Sequence, residues 1–110
     1  MSDERRIANI FELPPLPPGK ELCSLLCEWG SARVERIAGA GVVTDWYDQD
    51  EAEFAALLQG EAEIEYANGE KTALTKGDIL FIRPHEKHRV SRASREEPCV
   101  WLCVFFGKAR

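Results

Sequence analysis

From residue 20 onward, apolar and polar positions alternate in short runs divided by turn residues. Ala62, Ile64 and Tyr66 stand against Glu61, Glu63 and Glu65, the two-residue period of a strand that is apolar on one face and charged on the other. Turn signals recur at Gly30, at Gly39 and Gly41, at Gly60, at Asn68-Gly69 and at Gly77-Asp78, a spacing suited to many short strands. Asn68-Gly69, between EIEY and EKTAL, predicts a hairpin closed by a type I′ turn, because both residues tolerate positive φ. Further strands are expected at 79–82, 89–92 and 99–106. The segment ELCSLLCEW reads two ways: Leu22, Leu25, Leu26 and Trp29 fit a helix, while Cys23, Leu25, Cys27 and Trp29 fit a strand. Its strand-rich context favours the second. Short strands in this number must dispose of their edges, so the pattern predicts an all-β antiparallel barrel or paired sheets.

The first 20 residues break the pattern. PPLPP at 14–18 fixes φ at each ring and biases the preceding residues toward extended geometry, so residues 1–20 read as an arm and residues 21–110 as one barrel domain. Ile10, Phe11, Leu13 and Leu16 suit packing of that arm on the domain or on a second subunit better than service as a proline-rich ligand. At 110 residues, 45% of them hydrophobic, the chain can bury one core without disulfides or structural metal. The longest apolar run, CVWLCVFF, has eight residues against the roughly 20 of a membrane-spanning helix. The N-terminus carries mixed charges and no apolar signal region, so a reducing cytoplasm is expected. A net charge of -5 disfavours nucleic acid and anionic membrane as partners and leaves small molecules and proteins.

The segment 53–90 resembles the core of the small single-domain cupins. Glu53 followed by Gly60 matches the E(X)6G half of the first cupin motif. Gly77-Asp78, the run ILFI, Pro84 and His88 match the second motif, whose usual form is GD, four apolar residues and PPGxxHRV. With flanking strands the resemblance covers about residues 33–106, and it implies a double-stranded β-helix, or jelly-roll barrel, that commonly pairs as a homodimer. In that family two histidines and a glutamate of the first motif and a histidine of the second hold a metal. Here Tyr47 and Gln49 stand at the paired-histidine positions, or Trp46 and Asp48 if the register moves by one, so only Glu53 and His88 match. Arg83 replaces the first proline of the second motif and His85 its glycine. The resemblance thus implies at most a weakly held divalent ion (Fe, Mn, Ni or Zn) on Gln49, Glu53 and His88, since amide and phenol oxygens are poorer donors than imidazole.

Charge is uneven around these motifs. Residues 44–53 carry five acids and no base, and residues 83–95 carry five Arg or Lys against one Glu. The two stretches are expected to be neighbours, either paired at the surface or with Arg83 and His85 meeting an anionic group at the barrel mouth beside Trp46 and Tyr47. The cysteines, in two pairs four residues apart, read as small core residues rather than a zinc site: positions four apart on a strand share a face but lie about 13 Å from each other. Three functions follow as expectations: a barrel that binds a small polar or anionic ligand, a metal-dependent isomerase, decarboxylase or dioxygenase with Glu53 or Tyr47 moving the proton and His88 as anchor, or an oligomeric interaction module.

Overall fold

The computed structural model describes residues 5–107. Eight strands form: β1 Leu22–Trp29, β2 Ala32–Gly39, β3 Ala52–Gln59, β4 Ala62–Tyr66, β5 Lys71–Leu74, β6 Ile79–Ile82, β7 His88–Ala93 and β8 Cys99–Phe106. There is no helix among the described residues. All strand pairs are antiparallel, in a five-stranded sheet ordered β1-β2-β8-β3-β6 and a three-stranded sheet ordered β5-β4-β7. The ambiguous segment is therefore strand β1, and the expected strands at 79–82 and 99–106 have those bounds.

The core lies between the sheets. Ala55, Leu57, Trp101, Cys103 and Phe105 from the large sheet meet Ala62, Ile64, Leu74 and Val90 from the small one. The alternation written as Ala62 and Ile64 against Glu63 and Glu65 puts the first pair in this core. Behind the large sheet, Arg36 of β2 is buried and its Nη1 donates to the carbonyls of Asn9, Ile10 and Glu12 at 3.3, 3.4 and 3.1 Å. Residues 5–20 contain no helix or strand, so these carbonyls depend on such a donor rather than on a ladder.

Two local expectations are corrected. The β4–β5 hairpin is not closed by a type I′ turn, because only Gly69 takes positive φ, at 91°, and Asn68 does not. Gly69 N–H donates to Tyr66 O at 2.9 Å and Tyr66 N–H to Glu70 O at 2.8 Å, which describes a three-residue loop ending in a left-handed glycine. The Asn68 side chain accepts from Glu70 N–H at 3.0 Å, so it serves the turn through its Oδ1 and not its φ. The cysteines also divide: Cys99 and Cys103 are buried in the core, but Cys23 and Cys27 are exposed. The register of β1 against β2 slips between Leu25 and Cys27, so Cys23 opposes Ile37 and Cys27 opposes Val34. A one-residue bulge reverses side-chain parity, which places the two thiols on opposite faces.

Gly60, between β3 and β4, has φ of +86°, and a Cβ there would lie 2.8 Å from Ser94 Oγ and 3.0 Å from the Cys99 Cα. Gly60→Ala combines backbone strain with a collision against main chain, and the expected loss is about 2–4 kcal/mol by urea unfolding. A loss below about 0.5 kcal/mol would contradict this description of the turn.

Candidate functional site

Residues 42–49 run as an extended ribbon against β7. Tyr47 N–H donates to His88 O at 2.7 Å and His88 N–H to Tyr47 O at 3.0 Å, while Thr44 N–H reaches Val90 O at 3.0 Å. This pairing makes the acidic and basic stretches neighbours and fixes parity. Tyr47 and Gln49 face the barrel interior, and Trp46 and Asp48 do not. Glu53 enters from β3, opposite Ile82 and Phe105.

The interior holds a cavity of about 240 Å³. One wall is apolar, formed by Ile37, Ile64, Leu80, Ile82, Val90 and Trp101. The other end is polar, with Glu21, Tyr47, Gln49, Glu53 and His88 together and Arg33 and Glu35 beside them on β2. Tyr47 donates its hydroxyl to Glu21 Oε1 at 3.1 Å, and Gln49 Nε2 donates to Glu53 Oε1 at 3.1 Å. His88, 5% exposed, has its Nδ1 at 2.8 Å from the Glu86 carbonyl oxygen. A carbonyl only accepts, so Nδ1 carries a proton, and in the neutral ring the lone pair is then on Nε2. Arg33 donates Nε to Glu35 at 2.7 Å and Nη1 to Glu51, and its guanidinium lies 4.3 Å over the Phe105 ring.

Several groups here titrate abnormally. Burial raises the Glu21 carboxyl above its ordinary 4.5; the Tyr47 hydrogen bond opposes that rise and the neighbouring Glu53 charge adds to it. Burial, then Glu21, pushes the Tyr47 phenol up, so it stays protonated at neutral pH. Burial and the adjacent Glu53 carboxylate push the Cys103 thiol up, which makes it a poor nucleophile.

Of the residues expected at a site, Tyr47, Gln49, Glu53 and His88 line the cavity; Trp46, Arg83 and His85 do not. Trp46 lies on the outside with the Arg89 guanidinium 4.8 Å from its ring centre. Arg89 pairs with Glu65 of β4 rather than with the acidic stretch, and His85 Nδ1 lies 2.9 Å from Asp48 Oδ1. The sequence reading missed Glu21, Cys23, Arg33 and Glu35. Alternation along β2 does group Arg33, Glu35 and Ile37 on one face; what it lacks is any sign that β2 neighbours β8, since their registered partners are some 60 to 70 residues apart.

His85 explains another departure. It sits where the second cupin motif has glycine, and it adopts φ of 61°, the left-handed conformation that favours glycine. Its N–H donates to Gln49 O at 2.7 Å, which ties the loop before β7 to the ribbon that carries Tyr47 and Gln49.

Two antiparallel sheets with a cavity between them form a jelly roll, and comparison with known proteins places it. The chain belongs to the cupin family: the model of the cupin domain matches residues 33–105. A solved structure from Ralstonia eutropha JMP134, provisionally described as a mannose-6-phosphate isomerase, is similar at 30% identity and a TM-score of 0.83, over 91% of this chain and 96% of that one. A conserved protein with a double-stranded β-helix domain from Klebsiella pneumoniae is similar at 25% identity and a TM-score of 0.78, over 94% and 90%. A cupin superfamily protein from Desulfitobacterium hafniense DCB-2, at 20% identity, a TM-score of 0.71 and 94% and 99% coverage, shares the fold. A search of curated proteins found no match.

Cupins often hold a metal, but the donors present here fit one poorly. His88 and Glu53 are the strong ligands, the amide nitrogen of Gln49 is turned on Glu53, and the Tyr47 hydroxyl remains protonated and donates to Glu21. Among the described residues no three His, Cys, Asp or Glu side chains converge as a metal-holding group.

Two outcomes follow. Because the folded protein holds the Glu21 proton more tightly than the unfolded chain does, the stability that proton gives is complete below pH 4.5 and is lost as pH rises through the raised value. Glu21→Gln is expected to leave Tm unchanged at the acid end and to raise it at neutral pH; a parallel offset at all pH values would refute the assignment. At the strained loop, His85→Gly is expected to be more stable than His85→Ala by about 1 kcal/mol, read by denaturant unfolding, since both lose Asp48 and only glycine relieves the φ. Equal stabilities would show that φ carries no strain.

Proposed function

We propose that this cupin binds a small molecule with an apolar body and a polar end in its barrel, without a resident metal. The observation that carries the reading is the division of one cavity into an apolar wall and a polar end built by Tyr47, Gln49, Glu53 and His88. At roughly 30 Å³ per water, its 240 Å³ has room for about eight waters, which limits the ligand to a small metabolite. A polar ligand is favoured over an anionic one, because Arg83 and His85 lie outside the lining and Arg33 is paired with Glu35 and Glu51.

The likeness to the Ralstonia protein supports a second reading, an isomerase of phosphorylated sugar. That reading needs a cation for the phosphate, and the one guanidinium in the lining is committed to two carboxylates. Turnover of mannose 6-phosphate that disappears with Glu53→Gln would establish it over simple binding.

The direct test is a thermal-shift and NMR screen of small polar metabolites, run with chelator and again with added Fe, Mn, Ni or Zn. Binders are expected in both, with affinity falling about tenfold or more in His88→Asn, since that variant removes the imidazole acceptor from the polar end. A strict need for added metal would move the site to the metal-dependent enzyme reading, and binders indifferent to His88→Asn would place the ligand elsewhere.

A further inference from the structure

The hydrogen-bonding inventory of the cavity says more about the ligand, on the reading that this cavity is where it binds. Most donors at the polar end are committed. The Tyr47 hydroxyl is given to Glu21, the Gln49 amide to Glu53 and the Glu51 carbonyl, and two of the five Arg33 N–H groups to Glu35 and Glu51. The acceptors are not spent. His88 lines the cavity and in its neutral form keeps Nε2 as an acceptor, the Gln49 carbonyl oxygen is available, and each carboxylate offers about four acceptor positions of which the protein fills one or two. The surplus of acceptors favours a ligand that supplies N–H or O–H groups.

The charge balance points the same way. Glu21, Glu35 and Glu53 line the cavity against Arg33, and Arg33 is neutralised by Glu35 and by Glu51 from outside the lining. The basic residues 83–95, which in sequence flank the site, contribute no cationic side chain to the lining. Three carboxylates against one guanidinium give the lining an excess of negative charge, which favours a positive ligand. Trp101 adds an aromatic surface, which attracts cations through its ring quadrupole.

We propose that the ligand is a small organic cation, an ammonium or amidinium on an apolar body, with its N–H groups on His88 Nε2, Glu53 and Glu21 and its body against Ile64, Val90 and Trp101. Size-matched triplets test it: phenethylamine, phenethyl alcohol and phenylacetate, and isoamylamine, isoamyl alcohol and isovalerate. Binding is followed by NMR on the Trp101 indole and the His88 ring. In each triplet the amine is expected to bind about tenfold or more tightly than the alcohol, and the carboxylate most weakly. Glu53→Gln, similar in shape, should abolish most of the amine preference by weakening the amine far more than the alcohol, and Glu21→Gln provides the same comparison should the first variant fold poorly. An alcohol or carboxylate that equals the amine overturns the charge assignment and leaves the cavity reading standing. If no member of either triplet moves the Trp101 or His88 signals, the charge assignment falls and the cavity reading falls with it.

Discussion

The site depends on one short pairing, the reciprocal backbone hydrogen bonds between Tyr47 and His88 at 2.7 and 3.0 Å. Because side chains on extended chain alternate, a single fixed pair decides the facing of every residue near it. With Tyr47 inward, Gln49 must follow it in, and Trp46 and Asp48 must turn out. The same pair brings His88, the first residue of β7, to the level of Glu53 near the start of β3. A slip of one residue would put an indole and an aspartate into the cavity and leave Glu53 without its amide partner.

That constraint also explains why charged side chains of two adjacent, oppositely charged stretches find partners outside them. The pairing between the ribbon and β7 is made by main chain, and the side chains then go where parity sends them. Arg89 finds Glu65 on the neighbouring strand β4, and Arg33 finds Glu51 across the end of β3. Surface pairs of this kind are worth at most about 1 kcal/mol each, so they decorate the barrel and the apolar core holds it.

The fold was legible because alternation and turn residues are local signals. Ala62, Ile64 and the glycines at 60, 69 and 77 each report their own surroundings, and together they describe short antiparallel strands. The two cupin motifs added Glu53 and His88, and their spacing added Tyr47 and Gln49. What remained hidden was non-local or exceptional. Arg33 and Glu35 enter the cavity only because β2 lies beside β8, a neighbour from the far end of the described chain. Cys27 left the face of Cys23 because of one bulge that no residue type announces. Trp46 looked like a pocket residue by its chemistry and was excluded by parity alone.

The order β1-β2-β8-β3-β6 has a kinetic consequence. Strand β8 follows every other strand in the chain, yet it sits in the middle of the large sheet and supplies Trp101, Cys103 and Phe105 to the cavity. Until it arrives, β2 and β3 have no common partner and the carboxylates of the polar end face water. Pairing of high sequence separation is slow, since loop entropy is spent before contacts reward it. During synthesis the nascent chain therefore carries its cavity-facing residues long before it has a cavity, and insertion of the last strand brings them together.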